Sequence, residues 1–435
     1  MKEELLHYVW RLRKFDHTHL QTTDGLPIDI LHPGEHNHNA GPDFLNARIR
    51  IGDTLWAGNV EMHLRASDWH RHRHSDDPAY KNVILHVVLD ADCPIYHPEK
   101  RMLPCLTLKK RISNRLSKLY QRLLHNELWI PCQHLFYQAP ELTRNLWLDR
   151  LLVERLESKT QSIATLLKEN KNDWEATCYQ LLIHNFGLNV NGMAFERLAS
   201  SIPHRLLLTH RNRLFQLEAL LFGQSGLLTN DYQDEYPQAL RKEYDFLRKK
   251  YNLQPLTSTL WKFSRMRPAN FPTIRMAQLA TLFYQSTHLF SKILATQTIE
   301  EVEHMFALKL SNYWQSHYTF DKASSRRQKT LGRSSIHLLV INTIAPLLFL
   351  YGKERDEVQF KDRALRFLEE LTPEKNTTID HWKELGFYPK SAYQTQALLQ
   401  LKKHYCKEKK CLQCAIGHTI LSTASLPYTF KERTN

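Results

Sequence analysis

Glycine is scarce in this sequence, 13 residues in 435, while leucine, lysine, arginine, glutamine and glutamate are plentiful. A glycine costs a helix about 1 kcal/mol relative to alanine, so its scarcity predicts a largely helical chain. Long apolar runs are missing too. None approaches the roughly 20 residues a membrane-spanning helix needs; the best, residues 338–351, is broken by Asn342 and Pro346. That excludes a membrane partner from the expectation. The opening MKEELLHYVW is acidic and amphipathic and has no small-residue cleavage site, so no signal peptide is expected. Seven cysteines, an odd number in a large chain without an export signal, predict the reducing cytoplasm. The zinc-hydrolase signature HExxH is absent as well.

What is present is globular in composition: 42% hydrophobic and 24% charged residues, enough apolar side chains for two or three cores at this length. Lysine and arginine number 59 against 45 aspartates and glutamates, a net charge of +14. A surplus of that size favours a polyanionic partner, with nucleic acid the commonest.

Apolar spacing predicts a helix over residues 4–15, then strands at 26–31, 44–51, 55–64, 83–89 and 103–108, with a turn at Gly52-Asp53 and a turn or short helix at 76–81. From Ile112 onward the pattern changes to apolar residues at i, i+3 and i+4, over 113–128, 142–167, 174–182 and on to about 422. Breaks fall at 223–231, 265–272, 322–333 and 373–377, and Asn342 with Pro346 predicts a kink. The expected fold class is α+β: an α/β domain with a mixed sheet over residues 1–110, and a mainly helical region over 111–435, in one or two subdomains.

Half of the 24 histidines fall in the first 100 residues, in HPGEHNHNAGP (32–42) and EMHLRASDWHRHRH (61–74) among other places. Histidine is both a proton carrier and the commonest metal ligand. The order of the acids narrows the reading. Asp43 opens one strand, and Glu61-Met62-His63 lies on the next; a strand has period two, so Glu61 and His63 face the same way. Taken alone, His86 among Val, Ile and Leu reads as a core histidine, and His36 and His38 as incidental.

That arrangement resembles the PD-(D/E)XK nucleases over about residues 1–90, in the order helix, three strands, short helix, strand. The resemblance implies that Asp43 and Glu61 hold Mg²⁺ or Mn²⁺, that His63 replaces the usual lysine in orienting water, and that Glu4, ahead of Glu3, supplies an acid from the first helix. His70, His72 and His74 then stand as supporting residues. The segment Asp68-Trp69-His70-Arg71-His72 is also similar to the Trp-His-x-His stretch of very-short-patch mismatch-repair endonucleases. A second reading makes Glu61, His63, His70, His72 and His74 a histidine-rich Zn or Fe site.

Further along, Cys406, Cys411 and Cys414 with His418 form C-x4-C-x2-C-x3-H, four candidate ligands for structural Zn. Three cysteines plus a distant fourth, with Cys132 as the candidate, suit an iron–sulfur cluster instead, a feature of some nucleases in the resembled superfamily. Arg265, Arg267 and Arg275, interleaved with Trp261, Phe263 and Phe271, together with Arg326 and Arg327 in a basic loop, are candidate nucleic-acid contacts. For the aromatics, filling the core is the preferred alternative. Through GPDFLNARI, WAGNVEMHLRASDWHRH, YKNVILHVV, RPANFPTIR and CLQCAIG the whole chain is similar to a bacterial family known only as a domain of unknown function. The expected function is a metal-dependent phosphodiester hydrolase acting on DNA or RNA; the alternative is a non-catalytic nucleic-acid-binding or assembly protein with a degenerate nuclease core.

Overall fold

The structure is a computed structural model and describes residues 2–97 and 101–424. Two compact units divide it, and the division differs from the boundary expected at residue 110. Residues 1–149 group with the chain from Gln400 onward, and Arg150–Leu399 form the second unit. Sequence texture cannot reveal such a return, because helical periodicity does not record which core a helix joins.

The first unit is built on a six-stranded mixed sheet. Its strands are β1 (Ile28–His32), β2 (Glu35–His36), β3 (Phe44–Ile51), β4 (Thr54–Arg65), β5 (Val83–Asp90) and β6 (Cys105–Thr107), in the order β1-β3-β4-β5-β6, with β2 also on β3. β1, β3 and β4 pair antiparallel, whereas β4-β5 and β5-β6 are parallel. Short turns suffice for the antiparallel pairs, and Gly52 takes φ 59° in the one joining β3 to β4. A parallel pair needs a crossover of a dozen or more residues. Between β4 and β5 that crossover is residues 66–82, with the short helix α2 (Asp68–Arg71) and two single 3-10 turns, His74–Asp76 and Pro78–Tyr80. Trp69 and Tyr80 anchor it in a core with Ala66, Val83, Val88 and Leu103.

Helix α1 (Glu3–Arg11) has acids in its first turn and Arg11 in its last, both favourable to the helix dipole. Its buried face of Leu5, Leu6, Tyr8, Val9 and Trp10 packs on the sheet, where Trp10 Nε1 donates to Pro33 O at 3.0 Å. Helix α3 (Asn114–His125) buries Leu116, Tyr120, Leu123 and Leu124.

The second unit is helical apart from a small hairpin, His317–Thr319 with Lys322–Ala323. Helix Pro272–Gln285 is buried from Pro272 to Phe283. The expected kink at Asn342 and Pro346 takes the form of a π-helical turn, Val340–Ile344, inside a continuous helical run. That run, Arg333–Glu354, is 22 residues, long and apolar enough by length and composition to cross a membrane, which the interrupted sequence did not predict. With 72% of its most apolar window buried, it packs as a core helix.

Candidate metal centre

Register brings the acids together. In the antiparallel β3-β4 pair Phe44 faces Val60, so Asp43 stands opposite Glu61; in the parallel β4-β5 pair Glu61 faces His86. Asp43 N donates to Glu61 Oε2 at 3.1 Å, and Met62 N donates to Asp43 Oδ2 at 3.0 Å. The two carboxylates are thus locked side by side, Glu61 by the Asp43 N–H and Asp43 by the Met62 N–H. His63, two residues beyond Glu61, shares its face, and its Nδ1 lies 2.9 Å from His86 Nε2.

The crossover completes the group. Arg73 adopts the left-handed conformation (φ 59°), which reverses the chain so that His72 and His74 both turn back to β4. His72 Nδ1 is 3.1 Å from His63 Nε2. Glu61 Oε1 is 3.2 Å from His74 Nε2 and 3.6 Å from His63 Nε2. His63, His72 and His74 each bring one nitrogen to within 4.8 Å of the other two. A tetrahedral site with bonds of about 2.0–2.1 Å has ligand atoms about 3.3 Å apart, and these spacings bracket that edge. His74 Nε2 is buried without a hydrogen-bond partner although Glu61 Oε1 is near. Such a pair aims at a common point rather than at each other. Three imidazole nitrogens, with the Glu61 oxygen beside two of them, fit a transition ion such as Zn²⁺, Mn²⁺ or Fe²⁺ better than Mg²⁺, which prefers oxygen.

Electrostatics agree with that geometry. Burial, then the Asp43 carboxylate, push the Glu61 pKa up to about 9. Burial, then the neighbouring imidazoles of His86, His74 and His72, push His63 down to about 2, and burial brings His86 to about 3. His63 and His86 are thereby held neutral, while the Glu61 carboxyl holds a proton that a cation can displace. Packing keeps the ligands oriented. The Tyr80 ring stacks on His74 with centroids 3.8 Å apart, and Trp69, tied by Nε1 to Ser75 Oγ at 3.0 Å, meets His74 edge-on and His86 at a tilt.

The acid expected from α1 is reversed in the structure. Glu4 is exposed and accepts a hydrogen bond from Tyr120 Oη at 3.4 Å, whereas burial, then the Asp43 carboxylate, raises the pKa of Glu3. Position on the helix decides this: Glu3 and His7, four apart, share the face turned to β3. His7 Nε2 is 3.3 Å from Asp43 Oδ2. Burial opposes its charged form, but Asp43, Glu3 and Glu61 outweigh burial and raise its pKa. His7 was missed at the sequence level, although its spacing from Glu3 was the available signal.

His70 is exposed on α2, apart from the trio of His63, His72 and His74. His36 and His38 form an edge contact of their own at 4.5 Å, beside Phe44. Among the basic candidates, Arg265, Arg267, Arg326 and Arg327 are exposed. Arg275 is not a surface contact: it is 3% exposed and donates to Gln278, Asn270 and Ser335. Trp261 is likewise core, its Nε1 donating to Ser225 O at 2.8 Å. His418 Nδ1 lies 3.1 Å from Tyr8 Oη on α1.

No curated protein and no solved structure matches the chain. A family model described as "Protein of unknown function (DUF2851)" matches residues 3–377, a stretch that includes the whole histidine and carboxylate centre. Since the match spans most of the sequence, the chain belongs to the DUF2851 family.

Proposed function

We propose that the protein is a metal-dependent phosphodiester hydrolase acting on nucleic acid, with the ion held by Glu61, His63, His72 and His74. The observation that carries this reading is the convergence of three imidazole nitrogens within 4.8 Å of one another, with the Glu61 carboxylate beside two of them. A divalent ion at that point supplies a Lewis acid that lowers the pKa of a water and offsets charge on a phosphate oxygen. Asp43, only part-buried and hydrogen-bonded beside Glu61, is placed to accept the proton of an attacking water. His7, 3.3 Å away, holds that carboxylate in position. His72 leaves the centre open to solvent on one side. The positive balance of the chain supports a polyanionic substrate. Acids on adjacent strands are what the nuclease resemblance calls for, while the three imidazoles depart from it and move the choice of ion from Mg²⁺ to Mn²⁺ or Zn²⁺.

The test is metal-stripped protein reloaded with Mn²⁺, Zn²⁺ or Mg²⁺ and incubated with single- and double-stranded DNA and RNA. Cleavage is expected with Mn²⁺ or Zn²⁺ and should be lost in His72→Ala/His74→Ala. Cleavage that persists in Asp43→Ala/Glu61→Ala would sink the assignment. Salt-sensitive binding without any cleavage would favour the non-catalytic alternative.

A further inference from the structure

A buried cation in the second unit lacks a counter-charge. Arg275, early in the helix Pro272–Gln285, is 3% exposed. An arginine is almost never buried to that degree unless it is paired. Among the described residues this one meets no carboxylate. Its guanidinium donates to three neutral oxygens: Gln278 Oε1 at 3.1 Å, Asn270 Oδ1 at 2.7 Å and Ser335 Oγ at 3.0 Å. Its Nε–H is buried without an acceptor. Burial alone moves its pKa, down to about 10, so the charge persists at neutral pH. Gln278 Nε2 donates onward to Lys329 O at 3.0 Å, which brings a second basic residue into the neighbourhood rather than an acid.

The partners of Arg275 point their donors away from it. A guanidinium has no acceptor, so it fixes which end of each partner faces inward. With Ser335 Oγ and Asn270 Oδ1 turned to Arg275, the serine O–H and the asparagine Nδ2–H groups turn outward. Neither has an acceptor among the described residues, and both side chains are part-exposed.

Ser335 also stands in the first turn of the helical run Arg333–Glu354. The cap residue of that run, Gly332, supplies no side-chain hydrogen bond. Ser335 N and Ile336 N both bond to Gly332 O, at 2.8 and 3.1 Å, and the N–H groups of Arg333 and Ser334 come before them with no intrahelical partner. Space lies open at this end: a Cβ added to Gly332 would meet nothing within 4 Å. The acid bonded to these first turns, Glu303, is held by Arg333 and His337. At about 100° per residue Ser335 lies about 200° around the helix from Arg333, on the side turned away from that acid.

A buried charge left uncompensated is strongly destabilising, and donors gathered before a helix start around a guanidinium are the arrangement that holds a phosphate. We infer that Asn270, Ser335 and the backbone N–H groups of Arg333 and Ser334 bind a phosphate group, whose charge Arg275 neutralises from beneath the surface. The site stands independently of the histidine centre, and its test needs no cleavage assay.

Full-length protein is titrated calorimetrically with inorganic phosphate, with acetate, and with two oligonucleotides that differ only in carrying a 5′-phosphate or a 5′-hydroxyl. Saturable phosphate binding is expected, and acetate should not displace it. Arg275→Gln and Ser335→Ala should each weaken it about tenfold or more, the worth of a hydrogen bond to a charged group. Lys322→Ala, which removes an exposed charge from the hairpin of the same unit, should leave it within about twofold, as surface charges are screened. Preference for the 5′-phosphate assigns the site to a chain end, and equal binding of the two oligonucleotides assigns it to the backbone. Ser335→Ala, at a part-exposed side chain, reads the same question should Arg275→Gln fail to fold. Absence of saturable phosphate binding, acetate bound as tightly as phosphate, or phosphate affinity unchanged in Ser335→Ala would each overturn the inference.

Discussion

A buried carboxyl whose pKa stands near 9, as Glu61 does through burial and Asp43, keeps its proton at neutral pH unless a cation takes the proton's place. Metal uptake at pH 7 should therefore release protons, measurable as a dependence of binding enthalpy on the buffer's ionisation enthalpy. Glu61→Gln removes the anionic oxygen at nearly constant shape and should cut metal affinity at least tenfold in calorimetry. Unchanged affinity would remove Glu61 from the ligand set. The α1 acids give a sharper contrast. Glu3→Gln, facing Asp43, should slow cleavage severalfold, whereas Glu4→Gln, bonded to Tyr120, should leave the rate within twofold. Equal effects would contradict the assigned faces of α1.

At the scale of elements, the centre depends on β4 and on the crossover that follows it. Gly58 lies where β4 passes close to the neighbouring chain: an added Cβ would meet Ile84 Cγ2 at 2.4 Å and Asn82 O at 2.6 Å. Gly58→Ala should destabilise the protein by about 1–3 kcal/mol through overpacking, read as a lowered denaturation midpoint, and it should weaken metal binding as β4 shifts. His86 acts from β5 by fixing the His63 ring. Partners of this kind are worth roughly 10–100-fold in metal affinity, so His86→Phe should weaken binding within that range while the fold survives. Binding unchanged by His86→Phe would show that His63 needs no such support.

At the scale of the whole molecule, buried titratable groups of the second unit contribute to the pH response of stability. Glu218 in the second unit is 1% exposed, accepts hydrogen bonds from Tyr236 and Ser311, and has its pKa pushed up to about 7 by burial. A raised carboxyl pKa means the folded state binds the proton more tightly. Its contribution is fully present below the unfolded value of about 4.5 and is lost as pH rises through 7. The loss is on the order of 3 kcal/mol. Glu218→Gln should flatten the decline in stability between pH 5 and 7.5, in denaturant melts run alongside the parent protein. Parallel pH curves would refute a buried, protonated Glu218. Lys159 carries the opposite sign. It is bonded to Ile341 O, Asn342 and Gln396, and burial lowers it to about 7, so its cost is constant below pH 7 and recedes above it.

Periodicity in the sequence was enough to locate β3, β4, β5 and α1, because alternation and helical spacing are local consequences of which face is buried. It also placed Glu61 and His63 on one face of one strand. Tertiary structure decided the rest. The parallel pairing of β4 with β5 forced a crossover, and that crossover returned His72 to His63 and His74 to Glu61 while leaving His70 in solvent. Packing of α1 turned Glu3 and His7, not Glu4, toward Asp43. Return of the chain after Gln400 put Cys406, Cys411 and Cys414 in the same unit as Cys132. Spacing along a chain reports neighbours within an element; which elements meet depends on how the whole apolar surface is buried.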